Sequence, residues 1–136
     1  DLRPLQTLGT VIAQSYTALT SGRAAAGETV YYKNIGISRI LIALYDTPAL
    51  EQFYNDMTQP ILQSDADNKG QLFDTLLTFA RLNMDYKKTA AAMYVHENTV
   101  RYRINKIKEL IPYGSSEVDF QDTLSITYKI YLMQNF

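Results

Sequence analysis

The chain has 136 residues, 46% of them hydrophobic, with 13 basic and 14 acidic side chains and a net charge of −1, a length that suits one domain or a small domain with a helical appendage. The absence of cysteine excludes a disulfide framework, thiolate chemistry and a zinc finger, and fits a reducing, cytoplasmic setting. The longest apolar run, 40–45, falls far short of the roughly 20 residues that cross a bilayer, so no membrane partner is expected.

In chain order, residues 2–20 read as a helix with Leu5, Leu8, Ile12, Tyr16 and Leu19 on one face, ended by Ser21-Gly22. Thr29-Val30-Tyr31-Tyr32 has the composition of a short strand. One strand needs partners elsewhere or in another copy, and its edge is an association hazard. A short helix follows over 37–45, then another with Thr47 as cap and Pro48 in its first turn. Pro60 is expected to restart a turn, and 64–69 to form a polar linker. That linker divides an appendage, 1–63, from a second domain, 70–136. Leu72, Phe73, Leu76, Leu77 and Ala80 make the apolar stripe of the first helix of that domain. Residues 112–117 read as a loop, and 119–134 as a closing helix carrying Phe120, Leu124, Tyr128, Tyr131 and Leu132. The fold class is therefore mainly α, with a helical domain, read below as a helix-turn-helix from residues 85–110, preceded by a helical segment bearing one short strand.

The stretch 85–110, DYKKTAAAMYVHENTVRYRINKIKEL, carries the chemistry. Asp85 can cap a helix by accepting from amides two and three residues on. The alanines 90–92 make it slim enough for a neighbour to approach closely. Val95 and His96 interrupt, and a second helix runs to Leu110. At 100° per residue, Val100, Ile104, Ile107 and Ile111 fall on one narrow stripe. The opposite side carries Asn98, Tyr102, Asn105 and Glu109, flanked by Arg101 and Lys106, with Arg103 and Lys108 nearer the stripe. Two short helices with a tight turn, the second bearing such residues, are how a helix-turn-helix DNA reader is built.

Charge is distributed in the same sense. Residues 85–111 hold six bases and three acids, net +3, whereas 1–84 and 112–136 are each net −2. A positive island on an acidic body is the footprint of a DNA-binding module, although a solvated amphipathic helix that happens to be basic leaves the same trace. Asn98 and Arg101, in the first turns of the second helix, are candidates for reading base edges. Lys87, Lys88, His96, Thr99, Tyr102, Arg103, Asn105 and Lys106 are candidates for phosphate contacts. Alternatives stand beside several of these. His96 can act as a structural cap. Arg103 can brace the fold through a carboxylate, and Tyr102 can pack at the helix edge. His96 is the sole histidine, so no metal site is expected, and no cofactor. Asp65 and Asp67 are explained by turn formation. No P-loop, glycine-rich dinucleotide motif, nucleophile elbow or HExxH occurs, so no enzymatic activity is expected. A rival reading is a helical interaction module whose basic helix binds an acidic partner.

Residues 94–104, YVHENTVRYRI, closely resemble the signature of the PucR/CdaR family of bacterial transcription regulators, in which the recognition helix opens V-H-x-N-T-[VL]-x-Y-R-[LI]. Val95, His96, Asn98, Thr99, Val100, Tyr102, Arg103 and Ile104 match it. Upstream, QLFDTLLTFARLN (71–83) and Thr89-Ala90 resemble the family's Leu-rich helix and the Thr-Ala pair that opens the next one. A more distant similarity is to the Fis-type helix-turn-helix. Residues 1–63 resemble the end of the degenerate GGDEF-like domain and the linker helices of CdaR-like members. The resemblance implies a C-terminal piece of a longer, metabolite-responsive regulator that binds double-stranded DNA, with the effector held by a missing N-terminal region. A homodimer on half-sites about one turn apart is expected from the geometry of a single helix-turn-helix.

Overall fold

The computed structural model describes residues 36–135, and the helix expected over 2–20 and the strand expected over 29–32 lie outside them. Six helices form among the described residues: α1 (Ser38–Ala43), α2 (Pro48–Asn68), α3 (Leu72–Arg81), α4 (Tyr86–Met93), α5 (Glu97–Leu110) and α6 (Glu117–Gln134). They fall into two compact units, one of 36–51 with 129–135 and one of 52–128. In the first, Leu41, Ile42, Leu50, Ile130 and Met133 are buried, while Ile37, Ile40 and Leu44 stay exposed.

Helix α2 starts where its sequence says it should. Thr47 Oγ1 accepts from the Leu50 amide at 3.4 Å, and Pro48 is the first helical residue, where a missing N–H costs nothing. It does not stop where expected. The turn expected at Pro60 and the linker expected over 64–69 are corrected by a continuous helix of 21 residues that runs through Pro60 to Asn68. A mid-helix proline loses one hydrogen bond and crowds the preceding turn, at a cost of about 3 kcal/mol. Met57, Thr58 and Ile61 are all buried around Pro60, and that burial holds the helix together. The polar residues beyond are its solvated side, tied by Gln63 Nε2 to Asp67 Oδ1 (3.0 Å) and Asn68 Nδ2 to the Ser64 carbonyl (3.0 Å).

The corner after α2 is set by one carboxylate. Lys69 takes the left-handed conformation at φ +50, and the Gly70 amide donates back to the Asp65 carbonyl at 3.1 Å, a helix-ending motif. Asp65 Oδ1 then accepts from Leu72 N at 2.8 Å and Oδ2 from Phe73 N at 2.9 Å. The last turn of α2 thus caps α3, whose own cap residue Gln71 makes no such bond. Asp65 is a cap and not the turn former expected from the sequence. A Cβ on Gly70 would lie 2.8 Å from Asp65 Oδ1, so glycine is needed there for closeness. Asp65→Ala is expected to destabilise the fold by about 1–2 kcal/mol, read as a melting temperature lowered by several degrees. An unchanged melting curve would show that the cap carries nothing.

Helix α3 buries Leu72, Thr75, Leu76 and Phe79. Phe73 and Leu77 of the expected stripe pack at its margin, partly buried. Asn83 and Met84 turn the chain at φ +56 and +62, and Asp85 caps α4 as expected, accepting from Lys88 N at 2.9 Å. Before α6, Ser116 and Asp119 cap each other. The Asp119 amide donates to Ser116 Oγ at 3.0 Å, and the Ser116 amide to Asp119 Oδ2 at 3.3 Å. Hydrogen bonds from the Ser115 amide, then from the Ser116 side chain and amide, hold the Asp119 carboxyl below the usual carboxylate range. Helices α3, α4 and α5 pack on one another in all three pairings. Leu72, Leu76, Phe79, Ala90, Val100, Ile104, Ile107 and Ile111 share one buried cluster with Met57, Ile61, Phe120 and Leu124.

Candidate nucleic-acid interface

The face of α5 follows from its core stripe. Val100, Ile104 and Ile107 are fully buried and Ile111 nearly so, which fixes the rotation of the helix and turns Asn98, Tyr102, Asn105 and Glu109 to solvent. Arg101 is exposed on one flank of that face and Lys106 half-buried on the other. Lys87 and Lys88 are exposed in the first turn of α4. Thr99 and Arg103 are half-buried. The candidate residues therefore gather on α5 and the start of α4.

Several are held by neighbours that sequence reasoning did not identify. Arg101 Nη2 donates to Glu97 Oε1 at 2.8 Å, one turn back on α5. Its guanidinium carbon lies 4.1 Å from the centre of the Tyr86 ring. Tyr86, the first residue of α4, sits 4.9 Å, centroid to centroid, from Phe79 of α3. A chain of contacts thus runs from α3 through α4 to the first turn of α5, and it orients Arg101. One guanidinium donor is engaged by Glu97, and the fork offers five. Arg103 Nη1 reaches the Thr75 hydroxyl at 3.4 Å, so it braces α5 on α3 through a hydroxyl and not a carboxylate. Lys106 pairs with Glu109 at 3.5 Å and lies 5.7 Å from the Tyr102 ring centre. Lys108 donates to Glu117 Oε2 at 2.7 Å. That bond raises its pKa and ties α5 to α6.

His96 stands at the cap position of α5 with extended backbone, but its side chain makes no cap hydrogen bond. His96 thus caps α5 through its backbone alone, and the expected capping by its side chain is corrected accordingly. Imidazole is not among the short oxygen-bearing side chains that turn back onto helix amides. The turn before it is made by Tyr94, left-handed at φ +57, with the Val95 amide donating to the Ala90 carbonyl at 3.1 Å.

On the other flank, Thr99, Tyr102, Arg103 and Lys106 line an open groove of about 650 Å³ together with the α2–α3 corner, including Lys69 and Gln71. Lys69 is no candidate by sequence, because the corner that brings it beside α5 depends on Asp65. Among the described residues no three His, Cys, Asp or Glu side chains come together as a metal cluster. No helix among them is long and apolar enough to cross a membrane.

Residues 72–126 match the family described as the PucR C-terminal helix-turn-helix domain. The chain is 31% identical over 86 residues to the purine catabolism regulatory protein of Bacillus subtilis, a match covering 63% of this chain and 16% of that protein. It is 30% identical over 120 residues to the carbohydrate diacid regulator of Escherichia coli, covering 83% of this chain and 30% of that one. It is 25% identical over 103 residues to the proline-responsive transcriptional activator PutR of Bacillus subtilis, covering 76% of this chain and 25% of that one. In each case the match spans less than a third of the relative's length. These relatives carry the names of regulators, and none that of an enzyme. No solved structure matches the chain.

Proposed function

We propose, for a chain that belongs through residues 72–126 to the PucR family of helix-turn-helix transcriptional regulators and so carries a DNA-binding domain, that α5 docks in the major groove and reads sequence there. The supporting observation is the polar face of α5. Asn98, Tyr102 and Asn105 stay exposed opposite a fully buried stripe, and Arg101 is pre-oriented by Glu97 and Tyr86. Asn98 and Arg101 take base edges, since amide and guanidinium groups pair bidentately with adenine and guanine. Lys87, Lys88, His96, Thr99, Tyr102, Arg103, Asn105 and Lys106 contact the backbone and set the register.

In this reading residues 70–136 are the DNA-binding domain, and 1–63 are the end of a GGDEF-like domain with its linker helices, the last of which, α2, lends Met57 and Ile61 to the core of the DNA-binding domain. The regulator acts in the cytoplasm as a homodimer, because one short recognition helix gives limited specificity and two supply paired half-sites. The named relatives are regulators of purine catabolism and of carbohydrate diacids, and a proline-responsive activator. By analogy a small metabolite controls this one, through a region outside the chain described.

Selection of genomic fragments by the purified chain tests the reading. One palindromic sequence is expected to be enriched, and its affinity to fall steeply with salt as phosphate counterions are released. Retention that is salt-sensitive but indifferent to sequence would overturn the base-reading role.

A further inference from the structure

The turn between α4 and α5 has an unexplained occupant. Tyr94 is 95% exposed, more than any other large hydrophobic residue described. Its ring contributes almost nothing to the packing of its own fold. Its backbone is also in the left-handed region at φ +57, which a residue with a Cβ adopts at a cost that glycine does not bear. Asp46 and Asn83 tolerate that region through their short polar side chains. Met84 packs its side chain against the core, and Lys69 offers a solvated charge at the α2–α3 corner. A glycine at position 94 would close the same turn without strain, since the turn is made by main-chain bonds, Tyr94 N to the Ala91 carbonyl at 3.4 Å and Val95 N to the Ala90 carbonyl at 3.1 Å. Backbone strain kept where the side chain packs against nothing marks a residue retained for something outside the fold.

Position decides what that something is. Tyr94 lies two residues before His96, the cap of α5, and a recognition helix enters the groove by this end. The groove is bordered there by phosphates. A phenol is a neutral donor on a rigid arm, suited to a phosphate oxygen, and its ring covers the adjoining sugar. We propose that Tyr94 is a DNA-contacting residue at the mouth of the major groove, donating its hydroxyl to a backbone phosphate and so positioning the start of α5. This rests on the proposed docking of α5. It adds to that reading an uncharged contact made by the turn itself.

The contact separates stability from binding. The purified chain and its Tyr94→Phe and Tyr94→Gly variants are titrated with two duplexes of equal length, the fragment enriched from genomic DNA and an unrelated sequence, over a salt series. Thermal melts are recorded alongside. Tyr94→Phe removes only the hydroxyl and is expected to weaken binding to both duplexes by about threefold to tenfold. The slope of affinity against salt stays unchanged, because a phenol releases no counterion. Tyr94→Gly is expected to weaken binding by about tenfold or more, by losing hydroxyl and ring together, while its melting temperature holds or rises as the strain is relieved. Wild-type affinity in folded Tyr94→Gly overturns the inference. So does a melting temperature lowered in step with the affinity, because the ring then serves its own fold. A wild-type chain that retains neither duplex at low salt overturns the docking of α5 first, and this contact with it.

Discussion

Asn98→Ala combined with Arg101→Ala is expected to abolish sequence preference while the chain remains folded and still binds DNA weakly. Each bidentate pairing with a base edge contributes about 1–3 kcal/mol of discrimination. Losing two should lower the ratio of specific to unspecific affinity by roughly a hundredfold or more. The unspecific part is expected to persist because Lys87, Lys88 and Lys106, the proposed phosphate contacts, keep their charge. The fold persists because both side chains are exposed. The Arg101–Glu97 pair, at 2.8 Å on the surface, contributes at most about 1 kcal/mol, and the stacking of Arg101 on Tyr86 a similar amount. The measurement is the affinity for the enriched fragment and for an unrelated duplex, at matched salt, with circular dichroism to establish the fold. A ratio that survives the double substitution would overturn base reading by Asn98 and Arg101.

The largest effect on stability is expected from Ile104→Ala. Ile104 is fully buried at the centre of the α5 stripe, between Val100 and Ile107, which are equally buried. It belongs to the cluster that gathers Leu76 and Phe79 of α3, Ala90 of α4, and Phe120 and Leu124 of α6. Truncation removes three carbons and leaves a cavity that packed helices close only in part, at a cost of about 2–5 kcal/mol. For a domain of this size the melting temperature should fall by roughly 10 °C or more. The loss should appear equally with and without DNA, in contrast to the double variant. A drop of a degree or two would mean that the interior of this unit repacks freely.

The parts of the fold written in short-range patterns are legible in the amino-acid sequence. The α5 stripe is one, because a 3.6-residue period over twelve residues leaves a single face to bury. The Asp85 cap and the Thr47-Pro48 start are others, each fixed within three residues. The α2–α3 corner misleads because its signals are contradictory at short range. Pro60 and a run of Ser, Asp and Asn all suggest a break, yet the helix is held by Met57 and Ile61, buried by residues distant in sequence. The role of Asp65 depends on amides seven and eight residues on, beyond any local capping rule. The candidate face is legible as a set of side chains but not as an arrangement. That Tyr86 lies against Arg101, or that Arg103 finds a threonine, follows from how α3, α4 and α5 meet. The turn at Tyr94 hides for a different reason, since glycine usually announces a left-handed residue and here a tyrosine occupies it.

Helix α4 has eight residues and buries two small side chains, Thr89 and Ala90, with the Thr89 hydroxyl left without a partner. A helix this short is marginal in water, and beyond these two small side chains it gains hydrophobic contact mainly from Tyr86, partly buried against Phe79 at its first residue. Its persistence is therefore borrowed from the helices on either side. In folding it can form only once they supply a surface, and in the native ensemble it belongs to the low end of local opening free energies. Amide hydrogens in α4 should exchange through local fraying, well before the global unfolding that exposes those of α5. The segment that joins α3 to the exposed face of α5 is thereby expected to be the first part of the helix-turn-helix to open.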